Sequence, residues 1–295
     1  MPTQEGFLDG HKGHRLYHKS WLPSSSAAAA HVFYFPGVHE SLDLTAVERL
    51  VAALEPLGVA VHGQEYHGHG RSSGQPGLIE GLDLLLAHAL QFVKFMMDQQ
   101  GAAPFFVMGH SMGGGIVALL GDTLQEKYGT QFAGAVMLSP SLDAPAPPAL
   151  LLCLLRAVCT VWPAAALGPP EDPYASFAVQ EEARKYNLCP HNYKGNMRLG
   201  TGKMFVDEMF PRIVNGFRSG SLKCDFPFLI VHAENDHIPI SASKEMMNVA
   251  NSHDKELHVL QGGSHQILTD PGWEAPLQHV VQWISRRASG SRDYM

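Results

Sequence analysis

The stretch from Phe105 to Tyr128 constrains the fold more than any other. An apolar run, Phe105 to Met108, meets Gly109-His110-Ser111-Met112-Gly113 and passes straight into a helix-period segment, Met112 to Tyr128. A strand that feeds directly into a helix is the repeating unit of a mostly parallel sheet covered by helices. The unit recurs along the chain. His31 to Phe35 reads as a strand stopped by Pro36 and Gly37, and Leu44, Val47, Val51 and Leu54 follow at helical spacing until Pro56. Val59 to Val61 opens another strand, and Leu82, Leu85, Leu86, Ala89, Val93 and Met96 mark an amphipathic helix. Ala135 to Leu138, Phe228 to Val231 and Leu257 to Leu260 read as later strands, with helices near Ser241 to Asn251 and from Trp273 to Ile284. The expected fold class is α/β, with a mostly parallel central sheet and helices on both faces.

Between residues 141 and 222 the alternation stops. Pro145, Pro147 and Pro148 precede a very apolar piece, Ala149 to Leu167; Pro169, Pro170 and Pro173 follow, then a helical segment around Thr201 to Asn215 containing Pro211. The expectation is a helical cap at 141–222 inserted into a core made of 1–140 and 223–295. The apolar piece is no transmembrane span: about 20 apolar residues would be needed, and Arg156 and Pro163 interrupt this one.

A net charge of −7 leaves no basic stripe to neutralise phosphates, which argues against a nucleic-acid partner. Cys153, Cys159, Cys189 and Cys224 show no C-x-x-C spacing, so they read as ordinary thiols of a reducing compartment. Met1 to Gly10 lacks a basic region followed by an apolar run, hence no signal peptide and a cytoplasmic expectation.

Gly109 to Gly113 fits G-x-S-x-G, the pattern that places a serine on a sharp strand-to-helix turn. Ser111 is thus the candidate nucleophile, with glycines on either side giving the backbone room and a helix N-terminus aimed at a developing oxyanion. The chain order of this arrangement is serine, acid, histidine. Phe228 to Val231 runs into Glu234 and Asp236, both eligible as the acid; Asp236 is preferred because it lies deeper in the loop before Pro239. His265 follows the strand Leu257 to Leu260 and is the expected base. One oxyanion donor should be the N–H of Met112. The second should come from the loop after His31 to Phe35, where Pro36 has no N–H and Val38 is the preferred donor.

Seventeen histidines raise the question of a metal. His62, His67 and His69 cluster, as do His11, His14 and His18, but neither group carries a carboxylate at a zinc-hydrolase spacing. The expectation is no metal and no cofactor.

Tyr66-His67-Gly68-His69-Gly70-Arg71-Ser72, Met108 to Gly114, Leu138-Ser139-Pro140, Ala233-Glu234-Asn235-Asp236 and Gly263-Ser264-His265, together with Phe7-Leu8-Asp9-Gly10, carry a resemblance. In these motifs the chain resembles the monoacylglycerol lipase-like branch of the α/β-hydrolases, which also holds lysophospholipases and carboxylesterases. The resemblance spans most of the chain and favours Asp236 as the acid. Two departures stand out: Pro36-Gly37 where the family usually has His-Gly, and Glu65 where an aspartate is common.

The resemblance implies a serine-dependent carboxylic ester hydrolase acting on a lipid monoester such as a monoacylglycerol through an acyl-enzyme on Ser111. The alternatives left open are a lysophospholipase or short-chain carboxylesterase, a catalytically silent or acyl-transferring lipid-binding relative, and a peptidase on small amides. For the apolar cap piece two readings stand side by side: one face packs on the core, or the outer face docks reversibly on a bilayer or lipid droplet. Oligomeric state is not legible in the sequence.

Overall fold

The computed structural model describes residues 1–24, 27–145, 147–170 and 172–288, so the last seven residues of the expected core lie outside the described residues. Eight strands form one sheet in the order β1-β2-β4-β3-β5-β6-β7-β8. They are β1 (Thr3–Asp9), β2 (Arg15–Trp21), β3 (Ala30–Phe35), β4 (Val59–Gln64), β5 (Phe105–His110), β6 (Phe132–Leu138), β7 (Phe228–Ala233) and β8 (Lys255–Leu260). From β4 through β8 all neighbours are parallel. Only β1 and β2 run antiparallel, to each other and, through β2, to β4. This hairpin has no counterpart in the apolar-run reading, because β1 is largely exposed and offers no such run.

Every residue of β3, β4, β5 and β7 is buried, which is why these strands read as continuous runs rather than alternating ones. Successive side chains still point to opposite faces. Phe33 and Phe35 join the core with α2 (Leu82–Gln100) and α3 (Met112–Tyr128). Val32 and Tyr34 join the other core, with α1 (Thr45–Leu54) and the helix Glu274–Ala288. Three polar side chains inside the sheet pair with one another: His31 Nδ1 lies 3.0 Å from His62 Nε2, and His62 Nδ1 lies 2.8 Å from Ser20 Oγ.

Between β6 and β7 the described residues form no strand. They form α4 (Ala149–Val161), α5 (Pro173–Ser176), α6 (Gln180–Leu188), α7 (Leu199–Lys203), a π-helical turn (Met204–Met209) and α8 (Phe210–Ser219). Pro211 lies in the first turn of α8; the wider turn before it accommodates a residue that has no N–H and crowds the carbonyl four positions back.

In α4 the apolar residues divide between two faces. Leu152, Leu155 and Cys159 face a cavity, whereas Leu150, Leu151, Leu154, Val158 and Val161 are exposed, Leu150 to 76% and Val161 to 87%. Leu151 and Leu155 are four apart, which by helical spacing alone would group them on one face, yet they are separated: Leu151 is exposed and Leu155 packs toward Cys159, Ala165 and Leu199. No helix among the described residues is long and apolar enough to cross a membrane.

Candidate active site

Ser111 sits between the end of β5 and the start of α3 with φ 53° and ψ −117°, a region costly for a residue with a side chain and held only where the surroundings leave no alternative. The neighbouring glycines explain how it is held. A Cβ on Gly109 would meet the Gly113 backbone at 2.2 Å, and one on Gly113 would meet the Phe35 carbonyl oxygen at 2.0 Å. The Ser111 N–H donates to the Leu138 carbonyl at 3.0 Å, and the Ser141 N–H donates to the Ser111 carbonyl at 2.9 Å. The turn is thereby fixed to β6 and to the segment after it.

His265 follows β8, and its Nδ1 lies 2.9 Å from both Asp236 oxygens. A carboxylate only accepts, so the proton is on Nδ1 and Nε2 keeps its lone pair. Asp236 comes from the loop after β7 and its side chain is fully buried. It also accepts from the Ile238 N–H at 2.9 Å and lies 3.4 Å from His232 Nε2. Burial pushes the Asp236 carboxyl up, but hydrogen bonds from His232 and His265 outweigh it and hold the group well below the usual carboxylate range. Burial pushes His265 down to about 4, against the Asp236 hydrogen bond that favours its charged form. The ring is neutral at pH 7, as a general base must be. Glu234, the other eligible acid, is exposed.

Ser111, His265 and Val38 line one cavity of about 560 Å³, whose walls are chiefly apolar and include Leu152, Leu155 and Phe205. Met112 is the first residue of α3, where no preceding turn accepts its N–H. Val38 is half-buried on the loop after β3. The five expected site residues are thus brought to one end of the sheet, beyond the C-terminal ends of β3, β5, β7 and β8.

Several neighbours were not singled out by sequence reasoning. Ser141 Oγ lies 3.3 Å from Ser111 Oγ. His237, exposed, lines the cavity with its Nδ1 3.4 Å from Asp236 Oδ1. Glu40, buried, accepts from the Gly37 N–H at 2.6 Å, and His110 bridges Glu40 and the His265 carbonyl. Glu40 lies just three residues past the oxyanion-loop glycine and His110 inside the serine motif itself, so position could have flagged both, though not their contact.

Neither expected histidine cluster gathers as metal ligands. Among the described residues the groups of three or more such atoms within reach of one another are Asp43, Cys189 and His191, and Asp236, His237 and His265. His67 instead faces His88 at 3.2 Å between Nδ1 atoms, and its Nε2 accepts from the Glu80 N–H at 2.9 Å. Glu65, at the family departure, is buried and accepts from the Leu42 N–H at 3.0 Å and from Arg71.

The sequence pattern of the family described as serine aminopeptidase, S33, matches residues 26–272. The chain is 27% identical to human monoglyceride lipase over 282 residues, covering 94% of this chain and 89% of that one. It is 27% identical to the monoacylglycerol lipase of Mycolicibacterium smegmatis over 236 residues, 77% of this chain and 78% of the other. Among solved structures, the monoacylglycerol lipase of Paleococcus ferrophilus superposes with a TM-score of 0.74 at 22% identity, covering 92% of this chain and 99% of that one. A soluble variant of the Saccharomyces cerevisiae monoglyceride lipase, in complex with a substrate analog, gives 0.77 at 18% identity, with 97% of each chain covered. These likenesses establish the α/β-hydrolase fold.

Proposed function

We infer that this chain, which belongs to the serine aminopeptidase S33 family of serine hydrolases, cleaves the ester bond of a lipid monoester such as a monoacylglycerol. Ser111 Oγ attacks the ester carbonyl while His265 Nε2 takes its proton. The N–H groups of Val38 and Met112 hold the oxyanion, each worth about 3 kcal/mol of transition-state stabilisation. His265 then returns the proton to the leaving alcohol, and water, deprotonated by the same nitrogen, releases the fatty acid from Ser111. Asp236 keeps the ring in the tautomer this requires. No metal or cofactor enters the scheme.

The observation that carries the substrate class is the apolar cavity over Ser111, suited to an acyl chain. The similarity to monoglyceride lipases over 94% of the chain supports the same class. A peptidase holding a free substrate ammonium would want an uncommitted carboxylate. Of the three that line the cavity among the described residues, Asp207 pairs with Arg156, Glu40 pairs with His110, and Asp172 caps α5.

Residues 141–222 are the cap in this reading, with the inner face of α4 walling the acyl cavity. Its outer face, Leu150, Leu154 and Val161, docks reversibly on a bilayer or lipid droplet and brings an insoluble substrate to the cleft. The test is a hydrolysis panel of monoacylglycerols, lysophospholipids, short nitrophenyl esters and aminoacyl amides. Monoacylglycerol should give the highest kcat/KM; preference for an amide or a phosphate-bearing lipid would overturn the assignment.

A further inference from the structure

His110 makes two hydrogen bonds, one to a carboxyl oxygen and one to a carbonyl oxygen. Its Nδ1 lies 3.2 Å from Glu40 Oε2 and its Nε2 lies 3.1 Å from the His265 carbonyl oxygen. With Glu40 ionised both partners only accept, and a neutral imidazole has one N–H, so both bonds then require a proton on each nitrogen. In that state the ring is an imidazolium and the buried Glu40 carboxylate is its counter-ion. Both Glu40 oxygens are engaged: Oε2 also accepts from the Gly37 N–H at 2.6 Å, and Oε1 accepts from Gln266 Nε2 at 3.2 Å.

These partners sit on separate pieces of the chain. Gly37 adjoins the Val38 donor, His110 adjoins Ser111, and Gln266 adjoins His265. We propose that Glu40 and His110 form a buried ion pair that positions the nucleophile, the base and the oxyanion loop relative to one another. The role rests on the triad reading above, and both are positioning residues.

The titration behaviour agrees with the geometry. Burial disfavours charge on each, but the Glu40–His110 attraction outweighs it, holding His110 above the usual histidine range and Glu40 below the usual carboxylate range. The pair also bears on the base. His265 is faced by Asp236, which favours its protonation, and by His110 and His237, which oppose it. The His110 ring centre is 4.9 Å from that of His265. If Glu40 loses its charge, His110 loses its reason to stay protonated, and His265 takes up a proton more readily. The acid limb of the pH–rate profile should then move to higher pH.

Glu40→Gln keeps the size and can still accept from the Gly37 N–H, so it tests charge rather than volume. With a soluble nitrophenyl ester, kcat should fall roughly 10- to 100-fold, the cost of a small misplacement, while KM changes less than about twofold and the acid limb shifts upward. Ring-nitrogen NMR of the unmodified protein should show His110 doubly protonated at pH 8, a readout that needs no variant to fold. A single protonated nitrogen on His110, or a Glu40→Gln enzyme with an unmoved acid limb and wild-type kcat, would overturn the proposal. Ser111→Ala separates the two levels: persistent fluorophosphonate labelling there would remove the triad reading itself, whereas Glu40→Gln should slow labelling of Ser111 without abolishing it.

Discussion

His265 Nδ1 lies 2.9 Å from each of the two oxygens of Asp236, a symmetric contact that fixes both the tautomer and the direction in which Nε2 points. The carboxylate can accept from His265 in either orientation, whereas an amide presents an NH2 group to the same nitrogen in one of its two.

Asp236→Asn should therefore cost kcat roughly 10⁴-fold, by allowing the wrong tautomer, with little change in KM. Glu234→Gln, on an exposed side chain, should stay within about twofold of wild type, as surface changes usually do. Steady-state kinetics on a soluble ester decides between them, and the reverse ranking would move the acid to Glu234.

How much of this was legible beforehand depends on where each signal lies in the chain. Ser111 and His265 could be singled out as candidates because a strand-to-helix glycine turn and a fixed chain order leave few positions eligible. The antiparallel β1–β2 hairpin was not, since its outer strand is exposed and offers no apolar run. The Glu40–His110 pair was hidden because its members are 70 residues apart and meet only when β3 and β5 pair. The face of α4 was half legible: helical spacing grouped Leu151 with Leu155, but only the fold shows that Leu155 turns toward the cavity.

Stability should fall on mild acidification. Burial pushes His31, His88 and His265 down to about 4 and His62, His67 and His69 down to about 3. The unfolded chain binds protons on these rings from about pH 6.5 downward, and the folded chain not until near pH 3–4. The full contribution is present above about pH 6.5 and is lost progressively below it. Urea midpoints measured at pH 7.5, 6 and 5 should decrease in that order; a midpoint constant down to pH 5 would contradict the burial of these neutral rings.

Attachment to lipid should depend on the outer face of α4 and not on its inner one. Each Leu that enters an apolar phase contributes roughly 1.5–3 kcal/mol, so Leu150→Ser with Leu154→Ser should reduce liposome binding at least about tenfold. Long-chain monoacylglycerol hydrolysis should fall with it, while a soluble nitrophenyl ester is cleaved at the wild-type rate. Leu155→Ser, in the cavity wall, should instead impair long acyl chains without changing liposome binding. Co-sedimentation alongside both assays checks this, and unchanged co-sedimentation of the double variant would leave docking without support.

The central claim is that Ser111 forms the covalent intermediate, and mass mapping of a fluorophosphonate adduct tests it most directly. The account predicts one adduct, on the peptide containing Ser111, and none in a folded Ser111→Ala protein that has also lost nearly all ester hydrolysis. An adduct on another residue, or undiminished hydrolysis by Ser111→Ala, would contradict it.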